Sequence, residues 1–166
     1  MKKYMIFLTV AMASLFAFAA CDRNGEVDLP TQTQAEEVDG IFHQFDNLGF
    51  SVVFPSSWEG RYGLEQHEFE NDYGTTRFIS VFHPATREEL ESDYVGWLFS
   101  IIRAPGYFYE NPVGVILTRD GEYSFLMSFP TDVQWNYTDP ESQSAPEYRE
   151  MSEQLTSIEA SFRVLE

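Results

Sequence analysis

Residues 49–58, Gly-Phe-Ser-Val-Val-Phe-Pro-Ser-Ser-Trp, constrain the fold more than any other stretch. A short apolar run rich in Phe and Val is halted by Pro55, and Trp58 comes three residues later. That pattern predicts a buried strand that leaves its sheet at the proline, with the indole turning back to cover the strand's end. It reads as the first core strand of a folded domain. The residues before it read as address and tether, and those after it as the sheet and its cover.

Met1-Lys2-Lys3 opens the chain with positive charge, and an uncharged apolar run continues from Tyr4 to about Ala20, ending in small residues before Cys21. Residues 1–20 therefore have the layout of a secretory signal peptide. A membrane anchor is the competing reading, but the run is short for one. Cys21 is the only cysteine, so no disulfide can form within the chain. Phe18-Ala19-Ala20-Cys21 resembles the bacterial lipobox, whose cysteine is lipidated and becomes the new N-terminus. Phe18 departs from the leucine usual there, and ordinary cleavage leaving a free thiol is the alternative. Residues 22–40 are acidic and nearly free of aliphatic side chains, as expected of a flexible spacer after the lipidated Cys21. The expected location is extracytoplasmic, lipid-anchored to a bacterial membrane.

About 146 residues remain after the signal segment, enough for one domain with a filled core. The full-chain net charge is −17, and Lys2 and Lys3 are the only lysines. Such a balance repels phosphate backbones, so nucleic acid is not an expected partner.

The chain from 41 to 166 reads as a run of strands interrupted and closed by helices. Residues 41–45 form a short peripheral strand, and 61–69, carrying Glu65, Gln66, His67 and Glu68, form a polar edge strand. Residues 75–83 and 95–103 are apolar on both faces, which predicts central strands. In the second, Trp97, Phe99 and Ile101 are expected on one face and Leu98 and Ile102 on the other. Between them, residues 84–94 are helix-like, with Thr86 able to cap and Leu90 and Tyr94 sharing a face. Asp120-Gly121 joins strands 113–118 and 122–129 in a hairpin, whose second strand places Tyr123, Phe125, Met127 and Phe129 on one face. A capping box of Ser144 and Glu147 opens the last helix, where Tyr148, Met151, Leu155, Ile158 and Phe162 recur at spacings of three and four. The expected class is α+β, a mostly antiparallel β-sheet flanked by helices.

Gly49 to Trp58, together with Ile158-Glu159-Ala160-Ser161-Phe162-Arg163 at the end of the last helix, resembles the PsbP/Mog1-like superfamily. Leu98 to Arg103 and Pro130 to Gln134 resemble a group of uncharacterised bacterial members. The resemblance implies an αβα sandwich with six or seven antiparallel strands between helices. Its motifs are core and turn residues, so it implies no activity.

Residue patterns that carry chemistry are sparse. His43, His67 and His83 stand at no metal-ligand spacing, no Asp-x-Asp-x-Asp-Gly loop occurs, and neither a Gly-x-Ser-x-Gly elbow nor a Gly-rich phosphate loop is present. No cofactor and no catalytic residue is expected. Two loops could bind. Residues 105–112 carry Tyr107, Phe108 and Tyr109, and residues 130–137 carry Trp135 and Tyr137 beside Asp132 and Gln134. These rings either plug the sheet ends or form an aromatic patch for a partner, and a shared edge for the two loops would favour the patch. The expected function is a non-catalytic binding or accessory module acting on an envelope protein, with a small-ligand carrier or sensor as the alternative and an enzyme third.

Overall fold

The computed structural model describes residues 39–166; the signal-peptide reading, Cys21 and nearly all of the spacer lie outside them. Eight strands and three helices occur in the order β1 (Ile41–Phe45), β2 (Phe50–Phe54), β3 (Gly63–Asn71), β4 (Gly74–Phe82), α1 (Pro84–Glu89), β5 (Trp97–Pro105), β6 (Gly114–Asp120), β7 (Tyr123–Ser128), α2 (Ser144–Ser152), α3 (Leu155–Ser161) and β8 (Arg163–Val164). The fold is α+β with antiparallel pairing throughout. The strands divide between two sheets, ordered β1-β2-β8 and β3-β4-β5-β7-β6, where six or seven strands in a single sheet were expected. Among the described residues no helix is long and apolar enough to cross a membrane.

β2 behaves as its sequence demands. Phe50, Val52 and Phe54 have no solvent exposure, and Pro55 leads into a 3-10 turn, Ser56–Trp58, that folds the indole back against Phe54 at 5.5 Å between ring centroids. The same strand face meets the larger sheet, with Phe54 on Phe99 and Phe50 on Phe125. The core thus forms between the sheets, where Ile79 and Val81 of β4, Ile101 of β5 and Met127 of β7 join those rings. Burial of this apolar area is the main stabilising term of the domain.

β4 and β5 are central, with one correction to their facing. Val81 pairs with Phe99 but Phe82 pairs with Trp97, so Leu98 is an extra residue in a bulge. Paired residues share a face, which turns Trp97 away from Phe99, and its indole N–H donates to Ser100 Oγ at 3.1 Å. On that outer face His67 stacks on Phe78, and the Phe82 ring lies between Gly63 and the Arg87 guanidinium. Any side chain at Gly63 would collide with the ring. The β6–β7 hairpin turns through Gly121-Glu122, with Gly121 at φ +56°.

The helices differ most from expectation. α1 ends six residues after it begins, so Tyr94 lies beyond it and is 93% exposed while Leu90 is half-buried. The expected last helix is two helices broken at Glu153-Gln154. There the Gln154 side-chain oxygen accepts the Trp58 indole N–H at 2.7 Å and the Ser57 hydroxyl at 3.2 Å. The break leaves the phase of the stripe unchanged: Tyr148, Met151, Ile158 and Phe162 are all buried, and Leu155 beside the break is half-buried. After Phe162 the chain forms β8, which pairs with the first half of β2. The Ser161 hydroxyl accepts the Val53 N–H beyond the end of that short ladder.

Candidate functional site

The loop after β5 is fixed by its neighbours. Ser124 of β7 donates its hydroxyl to the Gly106 carbonyl at 2.8 Å and accepts the Phe108 N–H at 3.2 Å. Arg119, paired across the hairpin with Ser124, donates from Nε to the Phe108 carbonyl at 2.8 Å and lies over the Tyr107 ring. Asn111 donates to the Met127 carbonyl at 3.0 Å. A backbone held at Gly106, Phe108 and Asn111 carries rings that stay in solvent: Tyr107 is 61%, Phe108 40% and Tyr109 85% exposed. Tyr107 and Tyr109 meet edge to face at 5.1 Å. Beside them Tyr73, Pro105, Tyr107 and the Gly121-Glu122 turn line an open groove of about 440 Å³.

The loop of residues 130–137 leaves from the other end of β5. Gln134 is buried; its carbonyl accepts the Gly96 N–H at 3.0 Å and its side-chain oxygen the Trp97 N–H at 3.2 Å. Trp135 is half-buried against Tyr148 at 5.3 Å between centroids, and Tyr137 is exposed. The rings of the two loops therefore share no edge, although the first loop runs on to Val113, whose carbonyl accepts the Phe129 N–H where the second begins. Trp135 plugs the sheet end, whereas Tyr107, Phe108 and Tyr109 form an exposed cluster.

Near the Trp97 end lies a polar cluster built around Glu147, a residue expected to cap its own helix. Glu147 does not close a box with Ser144. Its Oε1 accepts Arg61 Nε at 2.5 Å and lies 3.4 Å from Nε2 of His83. His83 is 1% exposed, and its Nδ1 lies 2.8 Å from the Thr86 hydroxyl. Burial holds the His83 imidazole below its ordinary pKa, against the opposing pull of Glu147. The Arg61 guanidinium in turn holds the Glu147 carboxyl below the usual carboxylate range. Tyr148 donates its hydroxyl to the Trp97 carbonyl at 2.5 Å, and burial pushes that phenol upward. The first turn of α2 is capped from outside: Glu89 of α1 accepts the Ser144 N–H at 2.9 Å, and hydrogen bonding, first from the Ser142 hydroxyl, lowers its pKa.

The other histidines have partners of their own. His43 Nε2 lies 2.6 Å from the Tyr62 hydroxyl, and burial lowers its pKa; His67 faces Glu65 at 3.6 Å. Among the described residues no three His, Cys, Asp or Glu side chains converge to hold a metal ion. The residues missed in sequence, Arg119 and Ser124, had only a partial signal: Asp120-Gly121 marks the hairpin, but a turn at those two residues would set Arg119 opposite Glu122, and it is the Gly121-Glu122 turn that brings it to Ser124. Tyr73 and Glu147 had none, since their partners lie far along the chain. No family model, no curated protein and no solved structure matches this chain.

Proposed function

We propose that this chain is an extracytoplasmic lipoprotein held to a bacterial membrane through Cys21, whose domain is a non-catalytic module that docks an envelope protein through the Tyr107–Tyr109 loop. The single observation that carries the docking reading is three neighbouring exposed rings on a loop whose backbone is pinned by Ser124, Arg119 and Asn111. Aromatic side chains contribute heavily at interfaces. A loop already ordered loses less entropy on binding, so the pinning favours recognition over loose surface decoration. We also read the domain as related to the PsbP/Mog1-like sandwiches, on the Gly49–Trp58 and Ile158–Arg163 motifs; both are core and turn residues and bear on the fold alone.

The test is crosslinking in the native envelope with the unaltered chain and a Tyr107→Ala/Tyr109→Ala variant. The expected result is one crosslinked partner, captured at least tenfold less by the variant at an unchanged melting temperature. Equal capture by both chains would overturn the docking surface. Separately, Cys21→Ala should release the protein from membranes or leave the precursor uncut; unchanged processing and retention would overturn the tether.

A further inference from the structure

The open groove of about 440 Å³ beside the aromatic loop is assembled from three separate connections. Tyr73 comes from the tight turn between β3 and β4, where its N–H donates to Asn71 Oδ1 at 2.9 Å. Pro105, Gly106 and Tyr107 come from the end of β5, and Gly121 and Glu122 from the hairpin turn. Tyr73 is 84% exposed, so a further solvent-facing ring reaches the site from outside the pinned loop. Gly106 and Gly121 both sit at positive φ, and a Cβ at either would meet nothing within 4 Å. Bare backbone beside ring faces lets a ligand lie close against the chain, in a volume within the roughly 300–1,000 Å³ of ligand clefts.

Two common ways of holding a peptide do not suit this groove. Strand addition needs a free ladder edge, but the groove crosses strand ends: Pro105 has no N–H, and the Gly106 N–H is spent on the Glu122 carbonyl at 2.8 Å. An amphipathic helix needs an aliphatic trough for anchors spaced three and four apart, and no Leu, Ile, Val or Met is among the described residues lining the groove. A polyproline II segment needs neither. It makes no internal backbone hydrogen bonds, leaves its carbonyls open to donors, and docks on aromatic-lined grooves at low entropic cost. Tyr73 and Tyr107 supply exposed ring faces for the prolines and phenol O–H donors for those carbonyls.

Charge selects what flanks such a segment. Glu122 lines the groove, and Asp72 and Asp120 adjoin Tyr73 and Gly121 in the chain. Among the described residues none of the three has an ion-pair partner within the domain. The cations of the neighbouring strands are turned onto rings: Arg119 lies over Tyr107 and donates to the Phe108 carbonyl, and Arg103 lies over Tyr123. A basic residue beside the prolines would therefore meet carboxylates that the domain leaves unpaired.

We propose that the partner docked here presents an arginine-flanked proline-rich segment, its prolines against Tyr73 and Tyr107 and its cation at Glu122. The proposal rests on the docking reading of the Tyr107–Tyr109 loop and names what that surface recognises. The probe is a blocked peptide of one arginine followed by hexaproline, titrated calorimetrically into the full chain. Beside it are titrated a counterpart with glycine in place of every proline, and chitohexaose. Saturable one-site binding of the proline peptide alone is expected. Tyr73→Ala, outside the loop, should weaken it at least about tenfold, whereas Tyr137→Ala, an exposed ring elsewhere, should leave affinity within about twofold. Glu122→Gln should weaken it about two- to fivefold, as loss of one exposed ion pair does. All three variants should melt with the unaltered chain, since each removes an exposed side chain. No saturable binding of the proline peptide, equal binding of its glycine counterpart, unchanged affinity in Tyr73→Ala, or saturation by chitohexaose instead would each overturn the proposal. If the peptide fails while the envelope crosslink is still lost in Tyr107→Ala/Tyr109→Ala, the docking surface stands and only its proline-rich ligand falls.

Discussion

The two ends of the five-stranded sheet use the same kinds of residue for opposite purposes. At the Trp97 end, polar contacts draw separate elements together: Tyr148 reaches the Trp97 carbonyl, Glu147 meets Arg61, and Gln134 accepts two N–H groups from the entry to β5. The rings there, Trp135 and Tyr148, pack on each other. At the Pro105 end, polar contacts fix only a loop, and its rings face water. Hydrogen bonds at the first end serve burial; at the second they hold apolar surface in solvent. An aromatic residue's role therefore depends on where its pinned backbone aims it: Gln134 holds its loop with Trp135 packed on Tyr148, whereas the contacts at Gly106 and Phe108 leave Tyr107 and Tyr109 in water.

Substitutions separate the ends by size of effect. Tyr148→Ala should be the most costly, about 3–5 kcal/mol in chemical denaturation, because it empties a fully packed site. A cost below about 1 kcal/mol would show that this end is not closed by packing. Trp135→Ala should come next at about 1–2 kcal/mol, in proportion to its partial burial. Melting equal to the unaltered chain would put Trp135 with the exposed rings instead.

Acid should act on the closed end first. His83 is held neutral in the fold, with its pKa below that of the unfolded chain. Its contribution is complete above about pH 6.5 and is lost as pH falls toward the lowered folded value. Glu147, also lowered, loses its contribution only further down, as pH falls below the ordinary carboxylate range. Melting measured from pH 7.5 to 5 should decline, and His83→Asn should flatten that decline, leaving the slope that His43 contributes. An identical slope in the variant would remove His83 from the account. Smallest of all, Tyr109→Ala should shift stability by no more than about 0.5 kcal/mol. A loss as large as that of Trp135→Ala would erase the distinction between the two ends.

Several elements were legible because their signals are local. Pro55 and Trp58 announce the end of β2, Asp120-Gly121 marks the hairpin, and the spacing from Tyr148 to Phe162 identifies the buried helical face. Within the candidate site, sequence alone picked out the adjacent rings Tyr107, Phe108 and Tyr109, but not which rings would be buried. Trp135 and Tyr109 look alike in sequence; Tyr148 beneath one and solvent around the other set them apart.

Sequence by itself determined the antiparallel α+β class, the approximate positions of β1 to β7 though not β8, and the phase of the closing helical stripe, because periodicity and turn chemistry act over a few residues. Tertiary structure alone decided that the strands split into two sheets, that Leu98 bulges and reverses Trp97, and that Gln154 breaks the last helix to reach Trp58. It also decided that Glu147 pairs with Arg61 and His83 rather than capping its own helix. In these pairs the partners lie up to 96 residues apart, and only the packed core brings them within hydrogen-bonding range.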